Sequence, residues 1–139
     1  MPVLPEYDLT GKTAILATSG GGEAPFLAQA LVEAGSSVFA VARTQALLDA
    51  VSASLPSGFD GAVMDAGVPD SAKAVMEQFD RSHDNVDILV NDHRSMFARP
   101  LEDIGADEWD AVQTRNTKAT FLISQQAVSY THLTLPTKA

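Results

Sequence analysis

Apolar positions along this chain come in short blocks whose spacing alternates between two patterns. The runs "KTAILAT" (12–18), "SVFAVA" (37–42), "GAVMD" (61–65) and "VDILVN" (86–91) are continuous rather than alternating, as in strands covered on both faces. Between them the spacing turns helical. Over 23–34, Phe26, Leu27, Ala30, Leu31 and Ala34 recur on one face, and Gly35 stands where a helix stop is expected. "TQALLDAVSASL" (44–55) predicts a second helix, with Thr44 as its N-cap and Pro56 and Gly58 beyond its end. "PDSAKAVMEQFDRSH" (69–83) predicts a third, carrying Ala72, Val75, Met76 and Phe79 on one face. After a loop, Ala106 to about Ala127 predicts one long helix bearing Trp109, Val112 and Phe121, with Trp109 read as a packing residue. Strands and helices thus alternate, which predicts a single α/β domain built on a parallel sheet.

Composition narrows the partners. The chain has 139 residues, 45% of them hydrophobic, and nine basic against eighteen acidic residues give a formal charge of −9. Nucleic acid and anionic membrane surfaces need concentrated Lys and Arg, so neither is an expected partner. Cysteine is absent, which excludes disulfides and thiolate metal sites. None of the three His residues stands at metal-ligand spacing from another, so no metal is expected. His83, just past a helix end, is expected to be solvated. No apolar run approaches the roughly 20 residues that span a bilayer. "MPVLPEYDLTGK" lacks the basic-then-apolar pattern of a signal peptide, so a cytoplasmic protein is expected.

Between the first strand and the first helix lies "SGGG", Ser19 to Gly22. In a doubly wound sheet this turn receives phosphates, because glycine lets the backbone approach and the helix N-terminus offers free N–H groups. The same stretch also fits a plain connector. About 20 residues further on, where the second strand should meet an adenosine ribose, stand Ala42 and Arg43. No carboxylate is placed to hold two ribose hydroxyls. A guanidinium suits a 2′-phosphate, though Arg43 also fits a solvated strand end.

Taken in order, these stretches resemble the N-terminal half of the short-chain dehydrogenase/reductase family. "LTGKTAIL" resembles its opening, "ALVEAG" its first helix, and "MDAGVPD" the Asp-containing turn after its third strand. "VDILVND" resembles its fourth strand, and "PLEDIGADEWDAVQTRNTKATFL" the approach to its helical Asn. The resemblance runs from about Leu9 to Ala127. It implies a doubly wound Rossmann-type sheet ordered 3-2-1-4, truncated after the fourth strand and the following long helix. It also implies an oxidoreductase that transfers a hydride between NADP(H) and a carbonyl or alcohol substrate.

Residue by residue, the family's three-glycine motif falls on Thr18, Gly22 and Ala24, with Ser19, Gly20 and Gly21 between. By the same resemblance Arg43, beside Ala42, would face the 2′-phosphate, favouring NADP over NAD. Asp65 would bond the adenine amino group, with Ala66 beside it, and Asn91 would lie against the nucleotide. Asn116 matches the Asn that in relatives holds a water of the proton relay, the one catalytic position carried here; it also fits an ordinary polar residue on a helix. The long helix resembles one that pairs between subunits, implying a homodimer or homotetramer for the intact protein.

The chain also departs from the family pattern. Thr18 replaces a glycine, and a β-branched residue resists the geometry glycine permits. Where relatives continue Asn-Ala-Gly, this chain has Asp92, His93 and Arg94. His93 and Arg94 must point away, meet a phosphate or narrow the site. Adjacent residues do not orient one another as an acid–base pair, so Asp92 and His93 are not assigned catalysis.

The family's catalytic Ser and Tyr-x-x-x-Lys lie beyond a fifth strand that does not follow Ala127. Tyr130 is followed four positions later by Thr134. "VSYTHLTLPT" is also what sequencing-library adaptor DNA encodes in one reading frame. Residues 1–127 are therefore expected to form an incomplete Rossmann domain and 128–139 a non-native tail, unless the tail is a genuine divergent one. The 139 residues alone are expected to be inactive, with the fourth strand left as a sheet edge. A second reading is a nucleotide-binding or regulatory Rossmann protein with no catalysis. A flavodoxin-like or receiver-type module fits the alternation but not Arg43, Asp65 and Asn91.

Overall fold

The four continuous apolar runs become four strands. A computed structural model of the chain describes residues 4–20, 22–53, 55–56 and 59–131. In order it contains β1 (Thr13–Gly20), α1 (Ala24–Glu33), β2 (Ser37–Ala42), α2 (Gln45–Ser52), β3 (Asp60–Val63), α3 (Pro69–Phe79), β4 (Ile88–His93), α4 (Ala106–Gln113) and α5 (Ala119–Val128). Short 3-10 turns occupy Pro5–Tyr7 and Leu101–Asp103. The strands are all parallel and ordered β3-β2-β1-β4, the predicted order.

Continuous apolar strands are required because helices cover both faces. Ile15, Ala17, Phe39, Val41 and Ala62 pack on one side with α3 and α5. Leu16, Val38, Ala40 and Ala42 pack on the other with α1 and α2. All four residues predicted for the core face of α3, Ala72, Val75, Met76 and Phe79, are buried. Thr44 caps α2 by accepting from the Leu47 amide at 3.3 Å. Gly35 ends α1 at φ +99°, with the Ser36 amide donating to the Leu31 carbonyl at 3.0 Å, the Schellman geometry that glycine favours.

Several expectations shift. The predicted face of α1 rotates: Ala24 and Ala28 are buried, whereas Phe26 is 73% exposed. The predicted long helix carries a π-helical turn at Thr114–Lys118 between α4 and α5. Its core face is Ala119, Leu122, Ile123 and Ala127, while Trp109, read as a packing residue, is 57% exposed and Phe121 59%. His83 is not solvated; its ring stacks on Phe79 with centroids 4.8 Å apart. α5 runs through Val128, and the Tyr130 ring meets Phe79 edge-on at 6.0 Å. Residues 132–139 lie outside the described residues. Strand β4 is a sheet edge, with Ile88, Leu89 and Val90 half-buried.

Phe79 gathers this aromatic group, since Phe39 also meets it edge-on at 5.3 Å. Truncating a fully buried Phe leaves a cavity that costs roughly 3–5 kcal/mol. Phe79→Ala is expected to lower the urea-unfolding free energy by that amount. A loss below about 1 kcal/mol, the size of a surface change, would show that the cluster does not hold the core.

Candidate functional site

The C-terminal ends of β1, β2 and β3 carry most of the predicted site residues. β1 runs two residues further than predicted, so Ser19 and Gly20 join Thr18 in the strand, and Thr18 and Ser19 are buried. Gly20 and Gly22 have φ +129° and +88°, the left-handed region that glycine enters without strain. Gly21 lies outside the described residues. Thr18 does not meet the strain expected of it, because no described non-glycine residue has a positive φ. α1 starts directly after the turn with Pro25 in its first turn and no side-chain cap. Pro25 has no amide proton and the Phe26 and Leu27 amides donate to the Glu23 carbonyl at 3.0 Å, which leaves the turn and the Ala24 amide to face an anion.

Beside this turn, a cavity of about 630 Å³ lies between the ends of β2 and β3 and the helix α4. Arg43, Asp65 and Ala66 line it from the sheet side; Asp110, Thr114 and Arg115 line it from the helix side. Arg43 is steadied by its Nε, which donates to the Ser19 carbonyl at 3.3 Å. Arg115 is held from behind, where its carbonyl accepts from Ser19 Oγ at 3.0 Å. Three residues named from sequence therefore share one cavity. Asp110, Thr114 and Arg115 were not foreseen, and their only sequence signal is their place before Asn116 on the long helix.

Other predicted residues sit elsewhere. The Ala42 side chain is packed under the sheet. The Asn91 amide donates to Ser124 Oγ at 3.2 Å, facing α5 rather than the cavity. Asn116 lies in the π-helical turn, a feature that recurs at functional sites. Its side chain grips the loop after β4 at two points: Nδ2 donates to the Ser95 carbonyl and Oδ1 accepts from the Ser95 amide, both at 2.7 Å. Asn116 is thus a positioning residue for that loop.

The residues that depart from the family pattern meet across the sheet. β4 runs to His93, longer than predicted, and pairs Asp92 with Thr18 and His93 with Gly20 through a bulge. Thr18 Oγ1 donates to Asp92 Oδ2 at 2.9 Å. The Ser19 hydroxyl proton is already given to Arg115, so at 3.3 Å from His93 Nδ1 it accepts, and the ring carries its proton on Nδ1. His93 Nε2 is left buried without a partner. Arg94 Nη2 pairs with Glu23 Oε1. Burial pushes His93 down to about 4 and pushes the Asp92 carboxyl up against the pull of the Thr18 hydroxyl. Among the described residues no cluster of His, Asp or Glu could hold a metal ion, and no helix is long and apolar enough to cross a membrane.

The His93 shift carries a sign. Between about pH 6.5 and 4 the unfolded chain takes up a proton at His93 that the folded chain does not. Stability therefore falls as pH drops through that window, and the raised Asp92 works in the opposite direction. His93→Phe is expected to flatten the fall between pH 7 and 5 in urea-unfolding measurements. An unchanged slope would show that the ring is protonated in the folded state.

A model of the short-chain dehydrogenase family matches residues 12–133. A 2-dehydro-3-deoxy-D-gluconate 5-dehydrogenase of Pseudoalteromonas atlantica is 27% identical over 128 residues, covering 89% of this chain and 50% of that protein. The chain spans about half the length of the curated dehydrogenases it matches. Among solved structures, the RhlG/NADP active-site complex of Pseudomonas aeruginosa superposes with a TM-score of 0.76 at 24% identity, covering 92% of this chain and 51% of that one. The NADH complex of a 3-ketoacyl-(acyl-carrier-protein) reductase from Brucella melitensis gives 0.73 at 20% identity, covering 88% and 50%.

Proposed function

The chain belongs to the short-chain dehydrogenase family, and from that premise we propose that it is the cofactor half of an NADP-dependent oxidoreductase. The parent reaction would move a hydride between NADP(H) and a small carbonyl or alcohol substrate. The observation that carries this reading is the single cavity shared by Arg43, Asp65 and Ala66. In it the Arg43 fork serves the 2′-phosphate, Asp65 the adenine amino group, and Ala66 the face of the base. Gly20, Gly22 and the Ala24 amide serve the pyrophosphate, and Asn116 holds the neighbouring loop in place. Hydride chemistry belongs to the cofactor; the chain supplies its binding and orientation.

The 139 residues contain no Tyr-x-x-x-Lys, so we expect this polypeptide alone to catalyse no carbonyl reduction. The exposed Trp109 and Phe121 on the α4–α5 side suit contacts in a homodimer or homotetramer of the parent. A non-catalytic nucleotide-binding role is the second reading, and the contacts of Asp92, His93 and Arg94 across the crevice favour it.

Charge-assisted bonds to a phosphate are worth enough to discriminate about ten- to a hundredfold. Titration is expected to show NADPH binding tighter than NADH by that factor, with Arg43→Ala removing most of the difference. Equal affinity in the unaltered chain would remove the NADP assignment. Turnover of NADPH with a carbonyl substrate by the 139-residue chain would remove the expectation of inactivity.

A further inference from the structure

The departures from the family pattern at Asp92, His93 and Arg94 each bond a residue at the end of β1 or the start of α1. On one side stand Thr18 and Ser19 at the end of β1 and Glu23 at the start of α1; on the other stand Asp92, His93 and Arg94. Each residue of the second group bonds one of the first: Asp92 with Thr18, His93 with Ser19, Arg94 with Glu23. The three contacts lie between β1 and β4, the neighbours that flank the point where strand order reverses. A dinucleotide lies across that point, one half on each side.

The two sides are unequal. Towards β2 and β3 the 630 Å³ cavity stays open, with Arg43 and Arg115 in its walls. Towards β4 the crevice is crossed by the half-buried His93 imidazole and by the Arg94–Glu23 ion pair. Glu23 also places a carboxylate at the start of α1, where a phosphate would meet the Ala24 amide, and its Oε2 is buried without a partner. Arg94 compensates that carboxylate as long as the pair is made.

We infer that these three pairs form a clasp over the strand-reversal point that confines binding to the adenosine side, so that this site takes an adenosine 2′,5′-bisphosphate group and admits the nicotinamide half only when the clasp opens. The inference rests on the nucleotide reading above and goes beyond it in naming the part of the ligand the closed site holds. The ion pair is the opening element, because both partners are about half exposed and such pairs are readily exchanged for water or a competing phosphate.

The test compares NADPH with adenosine 2′,5′-bisphosphate on the full 139-residue chain by calorimetric or fluorescence titration. The unaltered chain is expected to bind the two within about threefold of each other. Arg94→Gly and Glu23→Gln are each expected to raise the ratio of NADPH to bisphosphate affinity about tenfold, as when a binding-competent state held near a tenth becomes dominant. Far-ultraviolet circular dichroism of each variant reports whether the fold survives. NADPH binding at least tenfold tighter than the bisphosphate in the unaltered chain would overturn the clasp and leave the NADP reading intact. An unchanged ratio in both folded variants would do the same. Binding of neither ligand would overturn the nucleotide reading and the clasp with it.

Discussion

Burial of β1 on all sides is the constraint from which the rest of the molecule follows. Ala14, Ile15, Leu16 and Ala17 are fully buried, with β2 on one edge and β4 on the other. A strand in that position can satisfy its backbone only through the two ladders, and it tolerates no unpaired polar side chain where it is buried. Polar chemistry is therefore displaced to its C-terminal end, where Thr18 and Ser19 are buried but fully bonded. The glycine turn and α1 continue directly from there. Site and scaffold are in this sense one feature: the rigidity of the central strand sets where backbone amides and side chains emerge.

Ser19 joins the parts of the site. Its carbonyl steadies Arg43, its hydroxyl engages the Arg115 carbonyl, and the same oxygen receives His93. One buried residue thus links the end of β2, the π-helical turn and the end of β4. Asn116, next to Arg115 in that turn, grips the Ser95 backbone through both amide atoms. The π-helical turn gives adjacent residues different partners, Arg115 towards the cavity and Asn116 towards the loop. In a chain of charge −9, Arg43 and Arg115 share one cavity with Asp65 and Asp110, so its charged lining is balanced where the chain as a whole is acidic.

Much of the fold was legible because it depends on neighbours in sequence. Continuous apolar runs, the Thr44 cap and the Gly35 stop each report physics that acts within a turn or two. Where legibility failed, a distant surface decided. Phe26 shares the helical spacing of Leu27 and Leu31 yet faces away, because small residues, Ala24 and Ala28, take the positions against the sheet. Trp109 and Phe121 are as apolar as any core residue, but α4 and α5 turn Ala119, Leu122 and Ile123 inwards instead. His83 follows a helix end, as a solvated residue would, and is nonetheless stacked on Phe79.

By itself, then, the amino-acid order determined the strand–helix alternation, the parallel sheet and the place of the glycine turn, since each arises from local spacing and backbone freedom. Only the tertiary structure decided that Thr18 meets Asp92 and Ser19 meets His93, pairs 74 positions apart. It likewise brought Arg94 to Glu23 and turned the Asn91 amide to α5. Those choices depend on the register between β1 and β4 and on a bulge at its end. No local pattern encodes them, because a parallel register is set by how two distant segments pack on shared helices.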